Sequence, residues 1–315
     1  MPLPGRAACL ARRGRRRSGR GAPEDAGGVP PPRKGALVNR LPNFLYVGPD
    51  KAGSSWLHET LIKHPDVYLT PAKDLYYFDR YYDRGTDWYA AQFRDAGGQE
   101  IVGEICQDYL FHPEAAGRIR DTLGTNVRVM VSLRDPVDRA WSSYLYMRKH
   151  GIGPDTFSEA LRSRPELLEH GRYATGLDRF LEYYPRENVH VALFDDLTKD
   201  PQGFLDAVTD FLGVDPLPLS EKEMEARLPA AKARSVRLAH VARRGADWIR
   251  EHDGARIVGR VKRSPLVHKA LYRPIDREAV RPATEDVATV RAALAAEIES
   301  LELSLGLRLR EAWGW

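Results

Sequence analysis

The segment that most restricts the fold of this chain is residues 43–56, which reads NFLYVGPDKAGSSW. An apolar run ends at Gly48, a short turn carries Lys51, and a pair of serines then opens a helical pattern. Gly48 and Gly53 let the backbone approach an anion, and the free N–H groups at a helix start can donate to it. The pattern therefore predicts a phosphate-binding loop between a strand and a helix.

The order of residues in this loop narrows the choice of ligand. In nucleoside triphosphatases a lysine follows the second glycine of the loop directly. Here Ser54 follows Gly53, and Lys51 lies inside the loop. We therefore expect a nucleotide other than ATP.

Three segments, taken in order, resemble those of the sulfotransferases that use 3′-phosphoadenosine 5′-phosphosulfate (PAPS). PDKAGSSWL at 49–57 is similar to their 5′-phosphosulfate loop, usually written Lys-x-Gly-Thr-Ser/Thr-x-Leu. KDLYYF at 73–78 resembles the Lys-Glu-x-x-Tyr/Phe-Phe segment of bacterial enzymes and of the Golgi heparan sulfate sulfotransferases. VRVMVSLRDPVDRAWSSY at 127–144 is similar to the strand and helix that hold the 3′-phosphate. The likeness extends over about residues 42–315.

The resemblance implies roles for individual residues. Lys51 would neutralise the bridging oxygen as it leaves, and Arg134 would grip the 3′-phosphate with help from the Ser142 hydroxyl. A looser basic cluster that includes Lys232 and Arg234 would close over the same phosphate. The residues expected to bind the donor are Lys51, Ala52, Gly53, Ser54, Ser55, Trp56, Arg134, Ser142, Lys232 and Arg234. The competing interpretation is that the cations are solvated charges and the serines are helix caps.

The acceptor hydroxyl needs a general base, and two carboxylates are candidates. Asp74 stands where the similar enzymes carry a catalytic Glu, with a side chain one methylene shorter. Glu104, in GEICQDYLF, is the alternative; related enzymes often read Glu-Lys-x-Pro-x-Tyr here, and Ile105 replaces that Lys. Asp108 and Tyr109 either contact the acceptor or cap a strand.

Strand-length apolar runs alternate with helical patterns, which predicts an α/β fold. We expect a three-layer architecture: a P-loop-like parallel central sheet with helices on both faces. Strands are predicted at Phe44–Val47, Val67–Leu69, Ile101–Ile105, Val127–Leu133 and Val189–Phe194. Helices are predicted at Ser54–His64, after Thr156, from Asp200 to Gly213, and late in the chain from Val287 to Leu305.

The basic charge is concentrated at one end of the chain. Residues 1–40 carry ten Arg and Lys against two acidic residues, net +8, so the total of +4 leaves 4 − 8 = −4 for the remainder. We expect 1–40 to be a disordered extension and 41–315 to be a single domain. A solvated extension, or a start assigned too early with the true one near Val38, is favoured over a nucleic-acid arm, a membrane arm or a transit peptide.

The remaining expectations concern partners and location. Two cysteines give no disulfide framework and no apolar stretch suits a membrane span, so we expect a cytoplasmic protein without membrane contact. No metal is expected, because His and Cys lack metal-ligand spacing; His58, His64 and His112 are expected at the surface or in caps. The acceptor would be a carbohydrate or small metabolite, and no nucleic acid is expected.

Two other functions compete with this interpretation. One is a P-loop-type nucleotide kinase with Asp135 as a magnesium ligand, although the Gly-Lys-Ser/Thr order is missing. The other is a non-enzymatic, nucleotide-dependent protein whose Arg-rich tail binds RNA.

Overall fold

The computed structural model describes residues 40–225, 231–233, 272–274 and 281–315. The predicted disorder of the basic extension and the predicted role of Arg234 fall outside these residues. Arg40, which the predicted boundary places in the extension, contacts the folded part, because its Nη1 donates to the backbone oxygen of Gln99 at 2.6 Å.

The described residues contain seven strands and twelve α-helices, numbered here in chain order. The strands are β1 (Phe44–Gly48), β2 (Val67–Leu69), β3 (Ile101–Ile105), β4 (Arg128–Leu133), β5 (Val189–Leu193), β6 (Ala231–Ala233) and β7 (Tyr272–Pro274). The helices are α1 (Ser54–Leu61), α2 (Gly85–Ala91), α3 (Ala115–Leu123), α4 (Pro136–Lys149), α5 (Phe157–Ser163), α6 (Glu166–Glu169), α7 (Tyr173–Leu181), α8 (Phe194–Lys199), α9 (Pro201–Leu212), α10 (Glu221–Glu225), α11 (Thr284–Leu305) and α12 (Leu309–Ala312). All five predicted strands are present, with ends shifted by at most one residue.

The first five strands form one parallel sheet in the order β2-β3-β1-β4-β5. β1, which leads into the predicted phosphate loop, is central, and all of its residues are buried. Because the strands are parallel, the segments that follow β1, β3, β4 and β5 leave the same edge of the sheet, where ligands bind in open α/β folds. β6 and β7 form a separate antiparallel pair.

Apolar helix faces cover both sides of this sheet. One side packs α1 and α9 against the strands through Leu57, Leu61, Leu205 and Val208, all nearly inaccessible to solvent. The other side packs side chains of α2, α3, α7 and α11, including Tyr89, Ile119, Leu177 and Ile298. The predicted three-layer α/β architecture is confirmed.

Helix ends follow the sequence signals except at the end of α1 and at the start of α11, which begins at Thr284, three residues before Val287. Asp200 caps α9 by accepting from Gly203 N at 2.9 Å, and Gly213 ends that helix with φ +68°. α1 ends at Leu61, three residues before the predicted end at His64. The last residues tighten, because Lys63 N and His64 N bond to carbonyl oxygens three residues back instead of four.

Candidate active site

The loop between β1 and α1 has the backbone conformation that its glycines predict. Gly48 has φ +137° and Gly53 has φ +93°. A Cβ at Gly48 would lie 2.6 Å from the Gln107 carbonyl oxygen, and one at Gly53 would lie 2.6 Å from Leu197 Cδ2. Lys51 between them also has a positive φ of 61°, which is uncommon for a residue with a side chain. The loop is therefore tightly constrained by its neighbours.

A buried ion pair anchors this loop to α4. Arg139 has no exposed surface, and its Nη1 donates to Asp50 Oδ1 at 2.8 Å. Ser143 Oγ donates to Asp50 Oδ2 at 2.9 Å, and His170 Nδ1 lies 3.5 Å from Asp50 Oδ1. Burial alone would raise the pKa of Asp50, but Arg139, His170 and Lys51 together hold it well below its usual value. Asp50 is therefore a buried carboxylate at neutral pH.

The Lys51 ammonium lies over the ring of Tyr146, 3.6 Å from the ring centre. Burial lowers the pKa of Lys51 to about 8; the charges of Lys73 and Lys149 act in the same direction, and Asp50 opposes them. The surroundings of Lys51 thus disfavour the charged ammonium more than Asp50 favours it, and a bound anion would stabilise the charged form.

Arg134 joins the phosphate loop to the second sequence segment. It directly follows β4, and its Nη1 donates to the Lys51 carbonyl oxygen at 3.0 Å. Its guanidinium lies over the Phe194 ring at 4.7 Å, and Nη2 is 3.5 Å from Asp138 Oδ2. Among the described residues its buried Nε has no hydrogen-bond partner. The structure thus brings together two segments that are 83 residues apart.

The side chains of the other predicted donor-binding residues differ in their exposure to solvent. Ser54 is buried and Ser55 exposed at the start of α1, and Ser142 is half-buried on α4. Ala52 is fully buried, and the Trp56 indole packs against Phe204 in the core with ring centres 6.0 Å apart. The Trp56 side chain is therefore a core group, which leaves its backbone N–H as the part available to a ligand.

A second lysine reaches the phosphate loop. Lys73 Nζ donates to Ser54 Oγ at 2.8 Å and to Ser55 Oγ at 3.1 Å. The sequence analysis gave Lys73 no role. Its contacts place two ammonium groups, those of Lys51 and Lys73, around the same short loop.

Asp74, the first candidate base, sits beside the end of β3. It is half-buried and has φ +61°; its N–H donates to the Ile105 carbonyl oxygen at 2.8 Å, and its Oδ1 accepts from Gln107 N at 3.3 Å. Tyr76 also has a positive φ, of 55°. Strained backbone of this kind clusters at functional sites.

Glu104, the alternative base, is fully buried. Its carboxylate accepts from Tyr89 Oη at 2.7 Å, Tyr109 Oη at 2.8 Å and Leu75 N at 3.3 Å. Burial raises the pKa of Glu104 to about 7, although the hydrogen bonds from Tyr89 and Tyr109 oppose the shift. Glu104 therefore lies inside the protein with its carboxylate hydrogen-bonded to two tyrosines, and its role as an alternative base stays a prediction.

Asp108 and Tyr109 have different surroundings. Tyr109 is fully buried, and its hydroxyl accepts from Tyr77 N at 2.9 Å while it donates to Glu104, so this hydroxyl is used inside the protein. Asp108 pairs with Arg80 and keeps part of its side chain exposed. Burial raises the pKa of Asp108 to about 6, which His170 and Arg80 oppose.

The histidines make structural hydrogen bonds, but His58 and His64 are buried instead of lying at the surface as expected. His58 Nε2 bonds to the Thr70 carbonyl oxygen at 2.9 Å, and His64 Nε2 bonds to the Asp215 carbonyl oxygen at 2.7 Å. His112 Nδ1 accepts from Glu114 N at 3.3 Å. Within the described ranges, no His, Cys, Asp or Glu cluster could hold a metal ion, and no helix there is long and apolar enough to cross a membrane.

These features define an α/β protein in which a glycine-bearing loop, a candidate anion site, is bonded to Arg134 at one edge of the sheet. A family model for the sulfotransferase domain matches residues 41–238. The chain therefore belongs to the sulfotransferase family of transferase enzymes. This membership favours sulfuryl transfer over the kinase and RNA-binding alternatives.

Individual relatives agree with this membership. The chain is 30% identical over 210 residues to the human bifunctional heparan sulfate N-deacetylase/N-sulfotransferase 3, covering 58% of this chain and 23% of that protein. It is 33% identical over 199 residues to the mouse heparan sulfate glucosamine 3-O-sulfotransferase 6, covering 58% and 56%. The matched part is thus less than two thirds of either relative.

A solved structure also matches. The crystal structure of a sulfotransferase from Alicyclobacillus acidocaldarius superimposes with a TM-score of 0.55 at 27% identity, covering 71% of this chain and 97% of that one. Lys232 lies in β6, where the structure describes the backbone alone, so the predicted roles of Lys232 and Arg234 stay predictions.

Proposed function

We propose that this protein transfers a sulfuryl group from PAPS to a hydroxyl of a carbohydrate or small-metabolite acceptor. The hydrogen bond from Arg134 to the Lys51 carbonyl oxygen carries the proposal. It unites a predicted 5′-phosphosulfate loop and a predicted 3′-phosphate arginine at the carboxyl ends of the neighbouring strands β1 and β4. One adenosine bisphosphate could engage both.

The residues present fit such a donor. The buried Nε of Arg134 lacks a partner among the described residues, and a phosphate oxygen would satisfy it. The serines at the start of α1 offer hydroxyl and N–H donors where the helix dipole favours an anion. Lys51 would stabilise the negative charge that develops on the bridging oxygen as the bond to sulfur breaks.

Asp74 is the proposed general base. The acceptor oxygen would form a bond to sulfur while the bond from sulfur to the bridging phosphate oxygen breaks. The leaving group would be 3′-phosphoadenosine 5′-phosphate (PAP). The acceptor proton would pass to the Asp74 carboxylate, whose charge acts on the Lys51 ammonium in the phosphate loop. The complete burial of Glu104 supports the choice of Asp74 over Glu104.

Three features support the choice of acceptor and location. The relatives named above act on heparan sulfate by their names, which favours a carbohydrate, and the name of the 3-O-sulfotransferase favours a hydroxyl on it. Ile105 stands where a lysine is frequent in similar enzymes, which favours an acceptor of low negative charge. The cysteine content supports the proposal of a cytoplasmic protein.

Binding of PAP without magnesium tests the donor assignment. PAP should raise the melting temperature of the parent, whereas ATP with magnesium should not. Arg134→Ala should weaken PAP binding by about 10- to 100-fold in calorimetry, because hydrogen bonds to a charged group are lost. Arg162→Ala, at an exposed position on α5, is the matched control and should bind PAP as the parent does.

Two outcomes would contradict the proposal. Unchanged PAP affinity in Arg134→Ala would refute the assignment of the 3′-phosphate site. Stabilisation by ATP with magnesium but not by PAP would favour a kinase, and salt-sensitive RNA binding would favour the non-enzymatic alternative.

A further inference from the structure

Residues 313–315 read Trp-Gly-Trp, and each indole donates a hydrogen bond to a different carboxylate. Trp313 Nε1 donates to Asp195 Oδ2 at 3.1 Å, and Trp315 Nε1 donates to Asp135 Oδ2 at 3.2 Å. The partners are 118 and 180 residues away along the chain. Buried indoles usually find such a partner, but here both partners lie at the carboxyl ends of sheet strands.

Both carboxylates lie next to the groups that surround Arg134. Asp135 follows Arg134 directly, and its Oδ1 caps α4 by accepting from Val137 N at 2.6 Å and from Asp138 N at 3.2 Å. Asp195 follows Phe194, whose ring lies under the Arg134 guanidinium. One indole therefore holds the segment between β4 and α4, and the other holds the start of α8, directly after β5.

The segment that carries the indoles is itself fixed. Gly314 has φ +65°, which turns the chain between the two tryptophans. Trp315 N donates to the Arg310 carbonyl oxygen at 2.8 Å, and Arg291 Nη2 on α11 reaches the Trp313 carbonyl oxygen at 3.5 Å. Trp313 is 8% exposed, so its ring is part of the packed interior.

We infer that Trp313 and Trp315 are positioning residues for the 3′-phosphate site, an inference that rests on the proposed function. They tie two adjacent strand ends together, and Arg134 lies between those ends. Without either N–H, a carboxylate beside the arginine loses a donor and becomes free to turn towards the guanidinium. The arginine would then be held by Asp135 or Asp195 instead of being open to a phosphate.

Comparing two nucleotides separates this role from a merely structural one. PAP carries the 3′-phosphate and adenosine 5′-monophosphate lacks it, so the ratio of their affinities reports the 3′-phosphate contact. Trp313→Phe and Trp315→Phe keep an aromatic ring and remove the N–H. Each should weaken PAP binding by about threefold to tenfold and leave the monophosphate affinity unchanged.

A control and a second pair of variants complete the test. Trp88→Phe, on α2, makes the same chemical change away from Arg134 and should keep the parental affinity ratio. If the Phe variants do not fold, Trp313→Met and Trp315→Met serve instead. They remove the indole N–H, keep a large apolar side chain that can fill the space, and leave both carboxylates in place.

The outcomes separate a failure of the proposed function from a failure of the role inferred for Trp313 and Trp315. A parent protein that does not bind PAP overturns the proposed function, and this inference falls with it. A parent that binds PAP while the Trp variants keep the parental ratio overturns the inference alone. Equal weakening of both nucleotides also overturns it, because the indoles would then act on general stability.

Discussion

Replacing Asp50 by Asn should destabilise the protein more than any exposed change of the same kind. Asn has nearly the same shape as Asp, so the substitution removes charge without opening a cavity. It leaves the Arg139 guanidinium, which is 0% exposed, without its countercharge. His170 and Ser143, which also point at this carboxylate, lose their charged partner as well.

The size of the loss follows from the burial of the pair. Removing one partner of a buried ion pair typically costs about 3–5 kcal/mol. Asn can still accept one hydrogen bond from Arg139, so we expect the lower end, about 3 kcal/mol. At roughly 2 °C per kcal/mol for a domain of this size, the melting temperature should fall by about 6 °C.

The pH dependence gives an independent check. The folded pKa of Asp50 lies below its unfolded value, so the carboxylate stabilises the fold above the unfolded pKa. That contribution is lost as the pH falls through the folded pKa. The difference in stability between parent and variant should therefore be the same at pH 7 and pH 5, and should narrow below about pH 4.

Urea unfolding and thermal melts of parent, Asp50→Asn and Asp178→Asn measure both effects. Asp178 is an exposed carboxylate on α7, and its variant should melt with the parent. A melting temperature for Asp50→Asn within about 1 °C of the parent would refute the reasoning, because the ion pair would then contribute nothing net.

Four further outcomes are expected. Asp74→Asn should lower turnover by about 10²- to 10⁴-fold in steady-state assays with PAP affinity nearly unchanged, whereas near-parental turnover would exclude Asp74 as the base. Lys73→Met should lower turnover by about tenfold or more. Lys73→Arg should recover part of the turnover, because it restores a cation beside Ser54 and Ser55. Equal activity of Lys73→Met and the parent would contradict this. Because the pKa of Lys51 is lowered to about 8, PAP affinity measured by calorimetry should decline as the pH rises above about 8. The decline should be absent in Lys51→Arg, whose side chain stays charged. The pKa of Glu104 is raised to about 7, so ionising this buried group costs stability progressively as the pH rises from about 4.5 through 7. In urea unfolding, Glu104→Gln should therefore lose less stability than the parent between pH 5 and pH 8, and parallel losses would show that Glu104 is not the titrating group.

The parts of the fold with a local cause could be predicted from the sequence. Strands β1 to β5 were visible because apolar runs of strand length stand between helix and turn signals. The cap of α9 was visible because Asp200, Pro201 and Gly213 each act on neighbouring backbone groups. α1 was predicted too long, because nothing in the sequence marks where a helix tightens before a proline.

The parts of the site that were missed depend on contacts between distant residues. Asp50 and Arg139 are 89 residues apart, and Trp315 is 180 residues from Asp135. One local signal was available: Arg139 and Ser143 are four residues apart, so they share a face of α4 and can reach one carboxylate. The burial of Glu104 could not be predicted, because its place in the chain does not reveal the two tyrosines that enclose it.

The close approach at Gly48 links the nucleotide loop to the segment after β3. Any larger residue at 48 would collide with the Gln107 carbonyl oxygen, and Leu110 N donates to the Val47 carbonyl oxygen at 2.8 Å across the same gap. Gln107 N in turn holds the Asp74 carboxylate. A chimera that exchanges residues 106–110 between relatives must therefore preserve the backbone path at 107, because otherwise donor binding and the placement of the Asp74 base would fail together. Loops that do not touch Gly48 are the better places to exchange when a new acceptor preference is wanted.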